Sequence, residues 1–399
     1  MLHRYTSLMT YMGSVLTMRR SSRVQWTAFV FMLFVSLTGT QAFAQTRWLS
    51  PVSGGEAYIS GRGWQDELST SYYRLPDRFR SQVRQSLWNL SMNASGLYVD
   101  FFTSAADITV KYTVMEPKSL NNVGMMAKSG VDLYRRNGDG WLFCSCFGSF
   151  DFGSQVTDTI VYHYRALSTP SGGATYRLYL PLYNTVSSLK IGVPEDDTFR
   201  FVSPDTRAPI VVYGTSIVQG ASASRPGMSW VNQVQRSLDI PVYNLGFSGN
   251  GCLDDALFHA MGEVTNARLF IIDCMPNMDS PDRADSIAPR LECGVRWLHA
   301  KSSAPILLVE HDGYSNETTQ MGLSAKVSNA NAKLRQAYNS LVAKGVTGLH
   351  YMTKAELGLC RDDECQVDGV HATDLGMRLY AQAYLQKIRQ LLHLSLIEE

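Results

Sequence analysis

The chain of 399 residues changes its pattern of apolar and polar positions near its middle. Before residue 203, short segments alternate between apolar and polar positions or run apolar, and they are rich in β-branched and aromatic residues. Clusters of Gly, Asn, Asp and Ser separate these segments, as turns separate strands. The segments are LYVDFFT (97–103), DITVKYTV (107–114), TIVYHY (159–164) and ATYRLYLPLY (174–183). Short strands at this spacing predict an all-β sandwich or a jelly-roll-like domain.

A different pattern begins after the proline-containing segment SPDTRAP (203–209). Continuous apolar runs at 210–213, 269–272 and 306–309 are typical of strands that are buried on both faces. Between and after them, apolar residues recur at helical spacing, as in Trp230, Val231, Val234 and Leu238, in Val327, Leu334, Tyr338 and Leu341, and in Tyr380, Tyr384, Ile388, Leu391 and Leu392. This alternation predicts a parallel sheet with helices on both faces, an α/β/α sandwich. We therefore place a β-domain at 45–205 and an α/β domain at 206–399.

The first 44 residues have the order of a secretory signal peptide. Arg19, Arg20 and Arg23 precede the apolar run WTAFVFMLFVSL (26–37), and AFA ends at Ala44 with the small residues of a cleavage site. The apolar run is short for a membrane span, so cleavage is favoured over a retained anchor. We expect a periplasmic or extracellular protein, cleaved near Ala44, with no stable membrane span after removal of the signal.

The charge balance and the cysteine content indicate which partners, disulfides and metal sites to expect. The chain has 36 Lys and Arg against 35 Asp and Glu, which gives no electrostatic reason to expect nucleic acid. Its seven cysteines are odd in number and sparse, unlike a disulfide scaffold, and Cys144 and Cys146 lack the further ligands of a metal site. Cys360 and Cys365, in one polar loop, are candidates for a disulfide, with two unpaired thiols as the alternative. We expect no metal and no cofactor.

Small and polar residues follow the predicted strands of the second half. The stretch PIVVYGTSI reaches Ser216 directly after its apolar run, NLGFSGNG contains Gly249, and DCMPNM contains Asn277. Asp368 and His371 lie three residues apart in DGVH, just before the last predicted helix. Because ligands bind at the carboxyl ends of the strands in such sheets, we expect these residues to converge there.

These residue types together suggest acyl transfer by an activated serine. A serine hydroxyl needs a base to take its proton, and His371 can be that base while Asp368 orients its ring and stabilises the imidazolium. The backbone N–H groups of Ser216 and Gly249 and the side-chain amide of Asn277 could stabilise the oxyanion that forms. Ser216 alone would fit a strand end or a helix cap, but its combination with the other residues favours catalysis.

The blocks GTSI, NLGFSGNG, DCMPNM and DGVH resemble, in this order, the four blocks of the SGNH/GDSL hydrolase superfamily. The resemblance covers about 209–392, and GVDLY (130–134) resembles the GxDLY signature of the bacterial branch with an extra N-terminal β-domain. The chain departs from the pattern at Thr215, where the family has Asp, at Ile217, where the family has Leu, and in the third block, which lacks Gly-x-Asn-Asp. None of these changes removes a catalytic group.

The resemblance implies an SGNH-type α/β/α fold and assigns roles to the residues of the four blocks. The catalytic residues would be Ser216, Asp368 and His371, and the oxyanion hole would be Ser216, Gly249 and Asn277. The α/β-hydrolase elbow is a rival for Ser216, but that motif has Gly where this chain has Val218.

The expected function is that of a secreted serine esterase that cleaves an O-acyl ester. The favoured substrate is an O-acetyl group on a carbohydrate. The alternatives are a lipase or thioesterase for short acyl substrates and a non-catalytic carbohydrate-binding protein that keeps the fold. Glu310, His311 and Asp132 are candidates for substrate binding. Glu310 and His311 could equally end a strand, and Asp132 could organise a hairpin.

Overall fold

The computed structural model describes residues 45–359 and 363–395. The predicted signal peptide (1–44) and Cys360 lie outside the described residues, so export and the Cys360–Cys365 disulfide remain predictions. From Thr46 onward, the described residues pack as one compact unit.

Twelve strands form the first half of the described chain. Their bounds are β1 (Thr46–Leu49), β2 (Val52–Ser53), β3 (Glu56–Ala57), β4 (Tyr98–Thr103), β5 (Ile108–Val114), β6 (Asp132–Asn137), β7 (Gly140–Cys144), β8 (Phe150–Asp151), β9 (Ile160–Tyr164), β10 (Ala174–Tyr179), β11 (Val186–Pro194) and β12 (Phe199–Phe201). Two antiparallel five-stranded sheets have the orders β1–β11–β5–β9–β8 and β12–β4–β10–β6–β7, and β2 pairs with β3.

The alternating apolar and polar residues of the first half give each sheet one buried face. Along β5, the side chains of Ile108, Val110 and Tyr112 are buried, and they share one core with Val99 of β4 and Leu178 of β10 from the other sheet. Because alternate residues of a strand face opposite sides, each sheet turns one apolar face inward. The predicted β-sandwich is confirmed.

Five parallel strands form the sheet of the second half. They are β13 (Ile210–Gly214), β14 (Val242–Gly246), β15 (Leu269–Asp273), β16 (Ile306–Val309) and β17 (Leu349–Met352), in the order β14–β13–β15–β16–β17. Sequence reasoning did not find β17, because this edge strand is only partly buried and carries no continuous apolar run. The parallel sheet itself is confirmed.

Ten α-helices accompany the sheets within the described residues. They are α1 (Gln85–Ser91), α2 (Met125–Ser129), α3 (Ser216–Gln219), α4 (Trp230–Leu238), α5 (Asp255–Gly262), α6 (Pro281–Ala284), α7 (Ile287–Lys301), α8 (Leu323–Ala343), α9 (Lys354–Leu357) and α10 (Asp374–Leu392). None of these described helices has the length and apolar content needed to cross a membrane.

Helices cover both faces of the parallel sheet. The neighbouring residues Val211 and Val212 of β13 belong to different apolar cores, one on each face. On the face of Val212, Trp230 of α4 stacks on Tyr384 of α10 with ring centroids 4.0 Å apart. On the other face, Leu298 of α7 belongs to the core that includes Val211. The predicted α/β/α layering is confirmed.

A buried arginine from the first half reaches the sheet of the second half. Arg74 is 1% exposed, and its Nη1 donates to the carbonyl oxygens of Asn244 at 2.9 Å and Gly246 at 2.8 Å. Gly246 is the last residue of β14, and Asn244 is its middle residue. A buried guanidinium needs such partners, so the arginine fixes this strand end against the β-sandwich.

Candidate active site

Ser216 is the first residue of α3 and follows β13 after a single intervening residue. That residue, Thr215, caps the helix, because its hydroxyl oxygen accepts from the backbone N–H of Ile217 at 3.3 Å. The first N–H groups of a helix have no partner within the helix. Among the hydrogen bonds of the described residues, the backbone N–H of Ser216 has no acceptor. Thr215 therefore takes the capping role at the position where the family pattern has Asp.

The predicted serine, histidine and aspartate lie in one chain of hydrogen bonds. Ser216 Oγ is 2.8 Å from His371 Nε2, and His371 Nδ1 is 2.8 Å from Asp368 Oδ2. The other carboxylate oxygen, Asp368 Oδ1, accepts from the backbone N–H groups of His371 at 2.8 Å and Val370 at 3.2 Å. The short turn DGVH therefore positions both the ring and its partner.

The protonation of Asp368 fixes the direction of these hydrogen bonds. Burial raises the pKa of its carboxyl, but hydrogen bonds from the backbone and ring of His371 and from the side chain of Asn122 outweigh burial and lower the pKa to about 2. Asp368 is then ionised at neutral pH and can only accept. Nδ1 of His371 must carry the proton of the 2.8 Å contact, which leaves the lone pair of Nε2 for the hydroxyl of Ser216.

Three candidate oxyanion donors follow three neighbouring strands. Ser216 follows β13, Gly249 follows β14 with φ of +66°, and Asn277 ends a 3₁₀ turn after β15. The backbone N–H of Gly249, like that of Ser216, has no acceptor among the described residues. Asn277 Nδ2 donates to the Gly251 carbonyl at 3.3 Å, which leaves its second N–H available.

The glycine turn after β14 packs directly on the strand that leads to Ser216. A Cβ atom at Gly251 would lie 1.9 Å from the carbonyl oxygen of Gly214, the last residue of β13. No side chain fits at that distance, so only glycine allows this approach. The contact brings the segment that contains Gly249 next to the end of β13.

A surface cavity of about 950 Å³ adjoins the glycine turn and the Asn277 segment. Cys252 and Met278 are among its lining residues, together with Arg283 and Arg290. Arg283 donates to the carbonyl of Asn277 and Arg290 to the carbonyl of Cys252, each at 2.9 Å. The two arginines thus hold the main chain beside the candidate oxyanion donors. No cluster of three or more His, Cys, Asp or Glu side chains in the described part of the chain could bind a metal.

Asp132, a candidate for substrate binding, anchors a loop instead of contacting the three residues. It is 3% exposed, and its Oδ2 accepts from Arg225 Nη1 at 2.8 Å and from the backbone N–H of Gly227 at 2.7 Å. Burial raises the pKa of its carboxyl, and the charge of Arg225 opposes that rise. Asp132 thus ties the GVDLY strand β6 to the loop between α3 and α4. Its role in substrate binding remains a prediction.

Glu310 and His311 follow β16, and local contacts occupy most of their polar atoms. The carboxylate of Glu310 accepts from Arg335, Tyr351 and the backbone N–H of Lys354 at 2.6–2.8 Å. His311 is fully buried, and its Nδ1 accepts from the Gly313 N–H at 2.9 Å. Within the described residues, no hydrogen bond joins either side chain to Ser216, Asp368 or His371.

Sequence reasoning missed two residues that contact the site from the first half. Asn122 Nδ2 lies 3.1 Å from Asp368 Oδ2 and 3.2 Å from His371 Nδ1, and Tyr183 donates to the carbonyl of Ser216 at 3.1 Å. Asn122 is 249 positions from His371 and stands in a polar stretch with no motif. The only available signal was the GVDLY signature nearby, which indicates an additional domain but no particular contact.

Comparison with known proteins gives matches for both halves. Residues 207–389 match the model of the GDSL-like lipase/acylhydrolase family, and residues 46–199 match the model described as the N-terminus of esterases of the SGNH hydrolase type. A comparison of the sequence with curated proteins found no match.

Solved structures share the fold over most of the chain. A protein from Bacteroides ovatus described as a GDSL-like lipase is 27% identical, with a TM-score of 0.77 over 88% of this chain and 98% of its own. A salicylyl-acyltransferase from a tetracycline biosynthetic pathway is 17% identical, with a TM-score of 0.68 over 87% and 97%. A family two carbohydrate esterase from Cellvibrio japonicus is 11% identical, with a TM-score of 0.51 over 88% and 99%.

The GxDLY model matches the half that contains the GVDLY stretch, and the GDSL-like model matches the half that contains the four blocks. The similarity to the Bacteroides ovatus structure extends over both halves, so it includes the β-sandwich as well as the parallel sheet. The chain therefore belongs to the SGNH/GDSL hydrolase superfamily and carries an N-terminal GxDLY domain.

Proposed function

We propose that the protein is a serine ester hydrolase in which Ser216 is the nucleophile, His371 the general base and Asp368 the residue that orients the base. The observation that carries this proposal is the unbroken chain of contacts from Ser216 Oγ to His371 Nε2 and from His371 Nδ1 to Asp368 Oδ2, each 2.8 Å. A nucleophile, a base and an orienting carboxylate in this order form the serine triad that catalyses acyl transfer.

In the first half of the proposed reaction, Ser216 Oγ attacks the acyl carbonyl carbon while Nε2 of His371 takes the hydroxyl proton. The tetrahedral oxyanion accepts hydrogen bonds from the backbone N–H groups of Ser216 and Gly249 and from the amide of Asn277. Each such donor contributes about 3 kcal/mol of transition-state stabilisation. The intermediate then collapses, the alcohol leaves with the proton held by His371, and the acyl group remains on Ser216.

In the second half, water cleaves the acyl-enzyme by the same steps in reverse. His371 takes a proton from the water, the hydroxide attacks the acyl carbonyl carbon, and the same donors stabilise the second oxyanion. The acid leaves as Ser216 Oγ recovers its proton from His371. Asp368 stays ionised throughout, because its role is to hold the ring and stabilise the imidazolium.

We propose an O-acyl ester on a carbohydrate, with an acetyl group as the acyl part, as the substrate. The expected export signal and the β-sandwich fused before the hydrolase half support this choice by analogy with enzymes that act on polysaccharides. The protein is then periplasmic or extracellular. An O-acetyl group is small, which suits a nucleophile that is only 6% exposed.

A lipase or thioesterase that acts on short acyl chains is the second candidate. Exposed apolar side chains flank the site in sequence: Leu120, Met125 and Met126 lie near Asn122, and Val367 precedes Asp368. Such residues could contact an apolar acyl group. The description of the Bacteroides ovatus protein as a GDSL-like lipase also favours testing this candidate.

A panel of esters tests the proposal. The mature chain is assayed on p-nitrophenyl esters from acetyl to long-chain acyl and on acetylated polysaccharides, with Ser216→Ala and, as a control, Ser340→Ala on the exposed side of α8. We expect hydrolysis of the acetyl substrates that falls by roughly 1,000-fold or more in Ser216→Ala and is unchanged in Ser340→Ala or by a chelator. Polysaccharide binding without hydrolysis would contradict the proposal and favour a binding protein.

A further inference from the structure

Asn122 of the first half reaches the side chains that orient the base. Its Nδ2 lies 3.1 Å from Asp368 Oδ2 and 3.2 Å from His371 Nδ1. Both distances fit a hydrogen bond, but one N–H cannot serve both partners equally. Since Nδ1 of His371 donates its own proton to Asp368, the acceptor that remains for Asn122 is the carboxylate.

The main chain around Asn122 is fixed from several directions. Its carbonyl oxygen accepts from Ser222 Oγ, in the loop after α3, at 2.7 Å. Leu120 and Val123 exchange two backbone hydrogen bonds across it, at 3.0 and 3.3 Å. Val123 is 1% exposed and belongs to the same apolar core as Ile217. The main chain that carries the amide is therefore held in place before any substrate binds, as the support of an orienting group must be.

We propose that Asn122 is a positioning residue that completes the active site from the N-terminal domain by donating a hydrogen bond to Asp368. The inference rests on the proposed function, since it assigns to Asn122 a role through Asp368 and His371. The donated bond holds Oδ2 in the plane where it accepts from Nδ1, and this keeps Nε2 directed at Ser216. If the opposite tautomer formed, Asn122 could donate to Nδ1, but Nε2 would carry the proton and could not act as base.

The hydrogen bond has a consistent electrostatic effect. The amide of Asn122 is one of the groups that lower the pKa of Asp368 despite its burial. An ionised carboxylate can accept hydrogen bonds from both Asn122 and His371. A protonated carboxyl group would have fewer acceptor sites, because one of its oxygens would carry the proton. The hydrolase half alone lacks this donor, because Asn122 lies in the segment between β5 and α2.

Three variants of the full mature chain test the role. Asn122→Ala removes the donor, Asn122→Asp keeps the shape but replaces the donor with a like charge, and Asn121→Ala changes an exposed neighbour as the matched control. We expect kcat to fall about 10- to 100-fold in Asn122→Ala, the range of one hydrogen bond to a charged group. KM should stay the same, and the melting temperature should fall by no more than about the shift of one lost hydrogen bond. In Asn122→Asp, kcat should fall at least as far as in Asn122→Ala.

A double-mutant cycle separates positioning from general packing. In an Asp368→Ala background, Asn122→Ala should cause no further loss, because the group it orients is gone. The rate of covalent labelling of Ser216 by a fluorophosphonate should fall in parallel with kcat. Losses that multiply in the double variant, or kcat within twofold of the parent in both Asn122 variants, would overturn the inference.

The ester-hydrolysis assay distinguishes failure of the proposed function from failure of the positioning role. If Ser216→Ala keeps the activity of the parent, the proposed function is overturned and this inference with it. If Ser216→Ala is inactive while both variants of Asn122 are as active as the parent, only the positioning role is overturned. If Asn122→Ala does not fold, Asn122→Asp, which conserves volume, decides by the same criteria.

Discussion

The hydroxyl of Tyr183 donates a hydrogen bond to the backbone carbonyl of Ser216 at 3.1 Å, and both residues are buried. Tyr183 lies between β10 and β11 of the β-sandwich, so the first half directly supports the residue proposed as nucleophile. Ser95, also from the first half, donates to the carbonyl of Gln219 at 2.6 Å. The short helix α3 is therefore held at its first and last residues by side chains of the other half.

Tyr183→Phe should weaken this support without abolishing folding. The Ser216 carbonyl also accepts from the N–H groups of Gly220 and Ala221, both at 2.9 Å, so it stays satisfied. We expect the free energy of unfolding to fall by about 0.5–1.5 kcal/mol, measured by urea denaturation. Tyr58→Phe, which removes a surface hydroxyl, is the control and should have a smaller effect. Equal losses in the two variants would contradict the assigned contact.

Gly251→Ala should damage both stability and activity. The added methyl group would lie 1.9 Å from the carbonyl oxygen of Gly214, so the turn that carries Gly249 must move away from β13. Overpacking of this kind costs about 1–3 kcal/mol, and displacement of the proposed oxyanion donor Gly249 would lower kcat further. Gly140→Ala is the control, because its new Cβ would lie 3.7 Å from the nearest atom, the carbonyl oxygen of Asn137. This variant should leave the melting temperature and kcat almost unchanged. A stable, fully active Gly251→Ala would show that the turn adapts.

The Asp368 carboxylate should contribute stability that depends on pH. Its pKa is lowered in the folded state from the ordinary 3.8 to about 2, so the contribution is complete above pH 4 and is lost as the pH falls toward 2. Asp368→Asn lacks this titration. The difference in unfolding free energy between the parent and Asp368→Asn should therefore shrink over that interval. A difference that is independent of pH would mean that the carboxylate is not stabilised by its neighbours.

Asp273 should have the opposite pH dependence. It is buried at the end of β15, accepts from Tyr384 at 2.8 Å, and lies near the Asp312 carboxylate. Burial raises its pKa to about 7, so the folded state keeps a proton that the unfolded state loses above its ordinary pKa of 3.8. Stability should fall as the pH rises from about 4 to 7, by up to about 4 kcal/mol.

Asp273→Asn tests that dependence directly. Asparagine keeps an oxygen that can accept from Tyr384 but does not ionise. The variant should lose the decline in stability between pH 4 and 7 and should exceed the parent at pH 8, as measured by urea denaturation at several pH values. A parent whose unfolding free energy does not fall over this interval would refute the raised pKa.

Periodicity predicted most of the fold because burial of one or both faces leaves a repeating pattern. The predicted segments 107–114 and 210–213 differ from β5 and β13 by a single residue at one end. Only two of the four residues of β17 are buried, so this strand has no such pattern and was not predicted. The ends of the parallel strands predicted where the site would lie, since topology brings them to one edge.

Contacts between the two halves could not be predicted in this way. Asn122 contacts Asp368 over 246 positions and Tyr183 contacts Ser216 over 33, each through a single hydrogen bond. A single polar residue leaves no periodic pattern in the sequence. The strand-end rule also did not distinguish Ser216 from Glu310, since both follow apolar strands. Their neighbours distinguish them. His371 contacts the hydroxyl of Ser216, whereas Arg335 and Tyr351 donate hydrogen bonds to the carboxylate of Glu310.

The most direct test of the account is covalent labelling of the full mature chain with a fluorophosphonate, followed by intact mass measurement and peptide mapping. We predict one adduct per chain, located on Ser216, with labelling lost in Ser216→Ala. Labelling should be strongly slowed in His371→Ala, because His371 is the proposed base that takes the hydroxyl proton. Ser340→Ala should label as the parent does. No adduct on the parent, or an adduct on a residue other than Ser216, would contradict the assignment of Ser216 as the nucleophile.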